Sequence, residues 1–357
     1  MDFVYKFPVV KGVQSEREYY IAMVPLKMIS RLFPDEEEYV PPEYRAQRKL
    51  NTSRIPIISR YILDNRNNYV FSALAASIDG TFSFIPNKNN KDTGILEVSM
   101  DARFLINDGQ HRKAAILEAL SEDESLESET ISVVFFEDKG LERSQQIFTD
   151  LNKHAVKTSN SISELYDSRD ELAIITRNSI AKVDFLNAYI DKEKDILGKY
   201  SSNLFTLNNF YRANRRILKK NQIDQESEEF LTLFWYNVAI NVIPWKELQK
   251  KEISKKDLRE NYIITQSVVI QALGRVGEYF YNNPEIDMVK NLIELKTINW
   301  KRTAKDWRLR IIRPNGRIIA NENATILTSN IIKQYVGIPL TADEEEKEKQ
   351  FIQNNKA

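Results

Sequence analysis

The nine residues Asn107-Asp108-Gly109-Gln110-His111-Arg112-Lys113-Ala114-Ala115 gather an acid, a glycine, an amide, an imidazole and two cations. That mixture suits an anion. If a helix begins here, its free N–H groups and positive dipole end face whatever is bound, and Arg112 and Lys113 add full charge. In such a site Gly109 lets the backbone come close, Arg112 pairs with phosphate oxygens, and Gln110 and His111 hydrogen-bond phosphate, base or an attacking water. Asp108 holds a divalent ion or orients Arg112, so Asp108, Gln110 and His111 are the candidates for catalysis. An ordinary Asp-Gly turn followed by a solvated Arg-Lys pair would use the same letters.

A second polar group follows in Ile147-Phe148-Thr149-Asp150-Leu151-Asn152-Lys153-His154. Phe148 and Leu151 fit a helix face turned to the core, which leaves Asn152 to hydrogen-bond and Lys153 to pair with a phosphate. A satisfied buried imidazole for His111 and a plain helix end for Asn152 stand as readings of equal weight.

These groups need a frame. Ile95 to Ile106 is apolar enough for a strand or strand pair, and Ala114 to Leu120 is built of strong helix formers, so the first group sits on a strand-turn-helix junction. Upstream, Tyr19 to Val24 reads as a strand, and Ile55, Ile57, Ile58, Tyr61 and Ile62 as one buried stripe of a helix started near Pro56. Tyr69 to Ile78 reads as a buried strand, turned by Asp79-Gly80 into a hairpin partner over Thr81 to Ile85. Ser121 to Glu129, with five acids and no base, is expected as a solvated loop, and Thr130 to Phe136 as a strand. Beyond residue 158 the spacing turns helical over 162–187, 203–219, 228–243, 255–281 and 328–336, with one hairpin around Pro314-Asn315-Gly316. The charged tail from Asp343 is expected as a frayed or solvent-exposed helix.

Two runs in that half are basic. Tyr211 to Lys220 carries Arg212, Arg215, Arg216 and Lys219, and Asn299 to Arg313 carries Lys301, Arg302, Lys305, Arg308 and Arg310. Arginine beside tryptophan and tyrosine serves a nucleic-acid surface, with charge for phosphates and rings for stacking. A solvated helix face with Trp300 and Trp307 in the core fits the same residues. Because Lys plus Arg and Asp plus Glu balance at 51 each over 357 residues, nucleic-acid binding must come from local segregation of charge. Cysteine is absent and there are two histidines, which excludes disulfides, thiolate chemistry and iron-sulfur clusters and leaves no zinc or other metal site expected within the protein itself. Met1 to Lys6 lacks a signal-peptide pattern and no apolar run reaches membrane-spanning length, so a cytoplasmic protein without membrane contact is expected.

Asp108-Gly109-Gln110-His111-Arg112 spells the signature of the DGQHR-domain proteins, and Gly109 to Ala115 resembles the phosphate-gripping turn of the ParB and sulfiredoxin superfamily. Phe148, Leu151 and Asn152 match a second DGQHR segment in order. Arg259-Glu260-Asn261, Gln271 to Gly277, Ile298-Asn299-Trp300 with Trp307, and Gly337 to Thr341 resemble the C-terminal half of the DndB family of DNA sulfur modification proteins. The resemblance implies an α+β protein: a ParB/sulfiredoxin-like α/β domain over residues 1–158, then a mainly helical domain over 159–357 with a small hairpin. It implies a DNA-binding regulator of a bacterial DNA phosphorothioate modification system, acting with DNA and other phosphorothioation proteins and open to homo-oligomerisation. At the turn it implies a nucleoside triphosphate, with magnesium, held by residues 108–113, Asn152 and Lys153. A nucleoside triphosphatase and a non-catalytic scaffold are the alternatives. Some DndB members regulate through a cysteine; thiol sensing is excluded here.

Overall fold

The computed structural model describes residues 3–34, 50–137, 146–147, 149–151, 158–198, 201–219 and 223–355, and the chain divides into two units, Met1–Val156 and Lys157–Ala357. In the first, alternation of apolar and polar residues builds β1 (Val4–Gln14), β2 (Arg17–Pro25), β3 (Leu74–Asp79), β4 (Phe82–Pro86), β5 (Thr93–Ser99), β6 (Arg103–Asp108) and β7 (Thr130–Glu137). They form one sheet in the order β4-β5-β1-β2-β7-β3-β6, in which only β3 and β7 run parallel. Phe7 and Val9 of β1, Ala22 and Val24 of β2, and Val133 and Phe135 of β7 are buried together with Ile116 and Ala119 of helix α3 (Gln110–Glu122). The short α1 (Ile29–Leu32) and α2 (Ile55–Asp64) complete that core through Ile29, Leu32 and Ile62.

Several expectations for this unit give way. No hairpin joins β3 to β4: β3 lies between β6 and β7, and β4 pairs with β5 through Phe84 opposite Leu96. Leu74 to Ile78 are all buried, which demands partners on both sides of β3, whereas β4 is largely exposed and suits an edge. Strand β1 is additional, reversed into β2 by Ser15 and Glu16, both at positive φ and neither a usual residue for it. Residues 121–129 are not a loop. A 3-10 turn, Glu124–Ser128, buries Leu126 completely, and Arg66 pairs with Asp123 and Glu129. Ile57 lies outside the buried stripe of α2, at 71% exposure.

The second unit is helical: α4 (Asn160–Tyr166), α5 (Glu171–Ala181), α6 (Asp184–Tyr189), α7 (Leu207–Leu218), α8 (Gln225–Asn241), α9 (Ile243–Gln249), α10 (Lys255–Asn261), α11 (Ser267–Asn282), α12 (Met288–Leu292), α13 (Glu322–Tyr335) and α14 (Ala342–Asn354). A mixed protein with a mostly antiparallel seven-stranded sheet and a helical remainder results. Helix α7 runs parallel to α11. Asn209 meets Ser267 and Gln271, and the absent side chains of Gly274 and Gly277 admit Ala213 and Ile217. The Pro314-Asn315-Gly316 hairpin reduces to a tight turn closed by Arg313 N–H to Arg317 O (2.9 Å) and one bridge, Ile312 to Ile318.

Helix α14 is not frayed. Thr341 and Glu344 cap it reciprocally, and Glu344 and Glu348, nearly sealed from solvent, meet Lys333, Arg275 and Arg310. Acids that look solvated in sequence find their cations on other helices.

Candidate anion and nucleic-acid sites

The strand-turn-helix junction is present. Strand β6 shifts register against β3, so that Asp108 faces Ala75 and Ile106 faces Ala76, leaving Asn107 as the extra residue. Asn107 is buried and accepts a hydrogen bond from Ser77 Oγ (2.9 Å), which fixes the bulge and turns Asp108 outward to half-exposure. Gly109 then opens α3 at φ 104°, a left-handed value that disfavours any side chain. A methyl here would also collide with Leu74 Cδ2 at 2.4 Å and lie 3.1–3.2 Å from the Arg112 guanidinium. The space at Gly109 is therefore taken by Arg112 itself.

Arg112 folds back over the turn, donating from Nη2 to Asp108 Oδ2 (2.6 Å) and from Nη1 to Ser72 Oγ. Its Nε–H is buried with no partner. Ser72 carries no signal of this role in the sequence, standing 40 positions upstream in an unremarkable run. His111 Nε2 accepts the Asn51 N–H (3.2 Å), so that nitrogen carries no proton and the ring ties α3 to the 3-10 turn Thr52–Arg54. Lys113 is buried beside Ile116 on the inner face of α3, away from the outward groups expected of it, while Gln110 is partly exposed. Asp108, Gly109 and Arg112 thus converge and His111 is committed to a structural bond.

Of the second motif, Phe148, Asn152, Lys153 and His154 lie outside the described residues. Ile147 is buried, but Leu151 is 41% exposed and so does not face the core as expected. Gln146 Nε2 donates to Asp150 Oδ1 (2.6 Å).

In the helical unit the basic runs separate by role. Phe210, Ala213, Asn214, Ile217 and Leu218 bury one face of α7, so Arg212, Arg215 and Lys219 emerge on the other, at positions i, i+3 and i+7. Arg215 lies over the Tyr211 ring at 5.5 Å, and Lys219 pairs with Glu278. Arg216 is turned inward, its fork gripping Glu322 (2.6 and 2.7 Å) and Nε donating to Gln271 (2.9 Å). Hydrogen bonds from Arg216 hold the Glu322 carboxyl below its usual range. A cavity of about 630 Å³ opens beside this face, lined by Arg215, Arg216, Lys219, Arg275 and Lys333. Arg275 lies far from both basic runs in sequence, so a count of local charge passes over it.

The second run is divided: its tryptophans and two of its arginines turn inward, and its other cations stay exposed. Trp300 and Trp307 are buried and stacked at 5.7 Å, so neither offers a face to a base. Arg302 donates to the carbonyls of Tyr262 (3.4 Å) and Arg259 (3.2 Å), and burial lowers its hold on its proton. Arg310 is gripped by Glu348 and lies over Phe351 at 4.1 Å. Lys301, Lys305 and Arg308 remain exposed.

No described helix is long and apolar enough to cross a membrane. No curated protein and no solved structure gives a significant match to the chain. One family does, described as DndB, DNA-sulfur modification-associated, and the match runs over residues 7–339, through both units. With nearly the whole chain covered, the protein belongs to the DndB family and takes part in DNA phosphorothioate modification.

Proposed function

We propose that the protein is a DNA-binding regulator of the phosphorothioate modification system, and that it meets the DNA backbone with the outer face of α7. The observation that carries this reading is the single-sided display of Arg212 and Arg215 on the outer face of α7, with Lys219 exposed just past its C-terminus and shared with Glu278. A chain of zero formal net charge gains affinity for phosphate from such a stripe alone. Arg216, Arg302 and Arg310 are committed to partners within the protein. The test is duplex DNA binding across a salt series with Arg212→Gln, Arg215→Gln and Lys219→Gln combined. Affinity should fall for all sequences, and the slope of log K against log salt should drop by about 2 to 3 units. A folded triple variant with the parent slope and affinity overturns the reading.

A second reading rests on the turn at 108–112, where the unpartnered, buried Nε–H of Arg112 and the α3 N-terminus both seek an anion. We read it as a nucleotide or phosphate site in a ParB/sulfiredoxin-like unit, with Asp108 positioning Arg112 and magnesium entering with a nucleoside triphosphate. Hydrolysis there would make the regulator a switch driven by nucleotide turnover. DNA and other phosphorothioation proteins are the partners this proposal implies, in the cytoplasm, where DNA is modified.

A further inference from the structure

Helices α7 and α11 run side by side in the same direction, an arrangement in which two macrodipoles repel unless an anion meets their positive ends. Both N-termini open onto one cavity of about 820 Å³ in the helical unit, lined by Thr206 and Asn209 from one helix start and Gln266 and Ser267 from the other. Neither first turn carries an acid. Four cations, Lys255, Lys256, Arg259 and Arg302, stand on its wall.

The acids there do not neutralise them. Asp195 is consumed by the N–H groups of Asn160 and Ser161 (2.8 and 2.9 Å), which leaves Glu260 as the remaining acid of the lining beside Lys255, Lys256 and Arg302. Arg302 makes no ion pair among the described residues, although it is half-buried. Thr206 is 3% exposed and caps α7 in a reciprocal box with Asn209, whose Oδ1 accepts the Thr206 N–H (3.2 Å), while the Thr206 hydroxyl proton has no acceptor. A buried hydroxyl left unsatisfied beside two helix N-termini is a donor awaiting an acceptor. Leu197 and Leu204 supply an apolar wall, and the volume is that of a small-molecule pocket.

We propose that this cavity binds a small phosphate monoester of nucleotide size, its dianionic phosphate seated between the two helix N-termini and on Thr206 Oγ1, with Lys256 and Arg302 balancing its charge. A terminal phosphate can reach the buried Thr206 hydroxyl. An internal diester of duplex DNA, flanked by sugars on both sides, cannot. The lining shares no residue with the α7 outer face or the Gly109 turn, so it gives the protein a small-molecule input.

The experiment is calorimetric titration of the full chain carrying Arg112→Ala, which removes the competing site at the turn. The probes are inorganic phosphate, deoxyadenosine monophosphate and a duplex without terminal phosphates. Binding of the monophosphate is expected at millimolar or lower concentration, with inorganic phosphate weaker. Thr206→Val should lower the unliganded melting temperature modestly, because the hydroxyl also caps α7, and should weaken the monophosphate about tenfold. Lys256→Gln, on an exposed residue that leaves the fold alone, should weaken it several-fold. The combined Arg212, Arg215 and Lys219 variant should keep the monophosphate while losing the duplex, which separates failure of this site from failure of the DNA surface. Absence of monophosphate binding in the folded Arg112→Ala protein overturns the proposal, as does binding insensitive to both Thr206→Val and Lys256→Gln.

Discussion

The two units differ in how deeply they bury their paired cations. In the sheet unit the acids stay near water: Arg112 pairs with the half-exposed Asp108 four residues away and bonds Ser72 from a remote segment, and Arg66 reaches Asp123 and Glu129, each about a third exposed. In the helical unit Arg216, Arg275, Arg310 and Lys333 reach acids on distant segments, and the Lys333–Glu344 pair is almost sealed from water. The difference teaches that a basic run is not a measure of a nucleic-acid surface. A run divides into cations that hold helices together and cations left over, and only the leftovers are available to phosphate.

The sharpest way to break this comparison is Glu344→Ala. Removing that carboxylate strands Lys333 and takes the Nη2 partner from Arg275, so the variant should lose about 3–5 kcal/mol of unfolding free energy. Burial pushes the Glu344 carboxyl up, but hydrogen bonds from Lys333, the Thr341 N–H and Arg275 outweigh it and hold the group below its ordinary range. A depressed carboxyl contributes stability above its unfolded value and loses it as pH falls through the folded value. The parent should therefore lose the Glu344 contribution in acid, while the variant's deficit should shrink there. Equal denaturation midpoints for parent and variant at neutral pH would erase the contrast between the units.

Arg112→Ala probes the other side. Its ion pair is to a half-exposed acid, but the guanidinium also fills the space at Gly109 and bonds Ser72, so stability should fall by about 1–2 kcal/mol. Nucleotide binding, if the arginine meets a desolvated phosphate, should weaken by roughly 2–5 kcal/mol, and any magnesium-dependent phosphate release should vanish with it. Calorimetry with a nucleoside triphosphate checks the first and phosphate release the second. A large loss of stability with binding intact would make Arg112 a structural residue and leave the turn without a function.

Legibility in the sequence follows the same division. The 107–115 string was readable because a strand end, a glycine and a helix start are consecutive, so local spacing encodes the geometry. Its inner workings were not. Ser72 and Asn51 reach the turn from remote segments, and Lys113 turns inward because its place on α3 coincides with Ile116 and Ala119 on the buried face. Strand pairing escaped for a related reason: β3 and β4 are joined by an Asp-Gly turn that invites a hairpin, but complete burial of Leu74 to Ile78 selects β6 and β7 as partners. In the helical unit the element positions were largely readable from apolar spacing. What could not be read was which cation meets which acid, since Arg310 and Glu348 are 38 positions apart and Arg216 and Glu322 are 106.

Glu164 supplies the smallest and most selective test, because it is a buried acid of the helical unit that forms no ion pair among the described residues. It is 9% exposed; Asn208 Nδ2 donates to its Oε1 (2.6 Å) and its Oε2 has no partner. Burial pushes its carboxyl from 4.5 up to about 7, against the Asn208 hydrogen bond, with Asp195 and Asp170 adding to the rise. Between those two values the unfolded chain is ionised at this position and the folded chain is protonated. The folded state then binds the extra proton, so this group's contribution is full below the unfolded value and declines as pH rises through the folded one. Glu164→Gln keeps the oxygen that Asn208 needs and removes the ionisation. The variant should match the parent near pH 4 and exceed it by roughly 1–2 kcal/mol at pH 8, seen as a higher melting temperature. A pH-independent difference would mean that Glu164 has found a cation after all, and that the helical unit leaves no buried acid unpaired among those described.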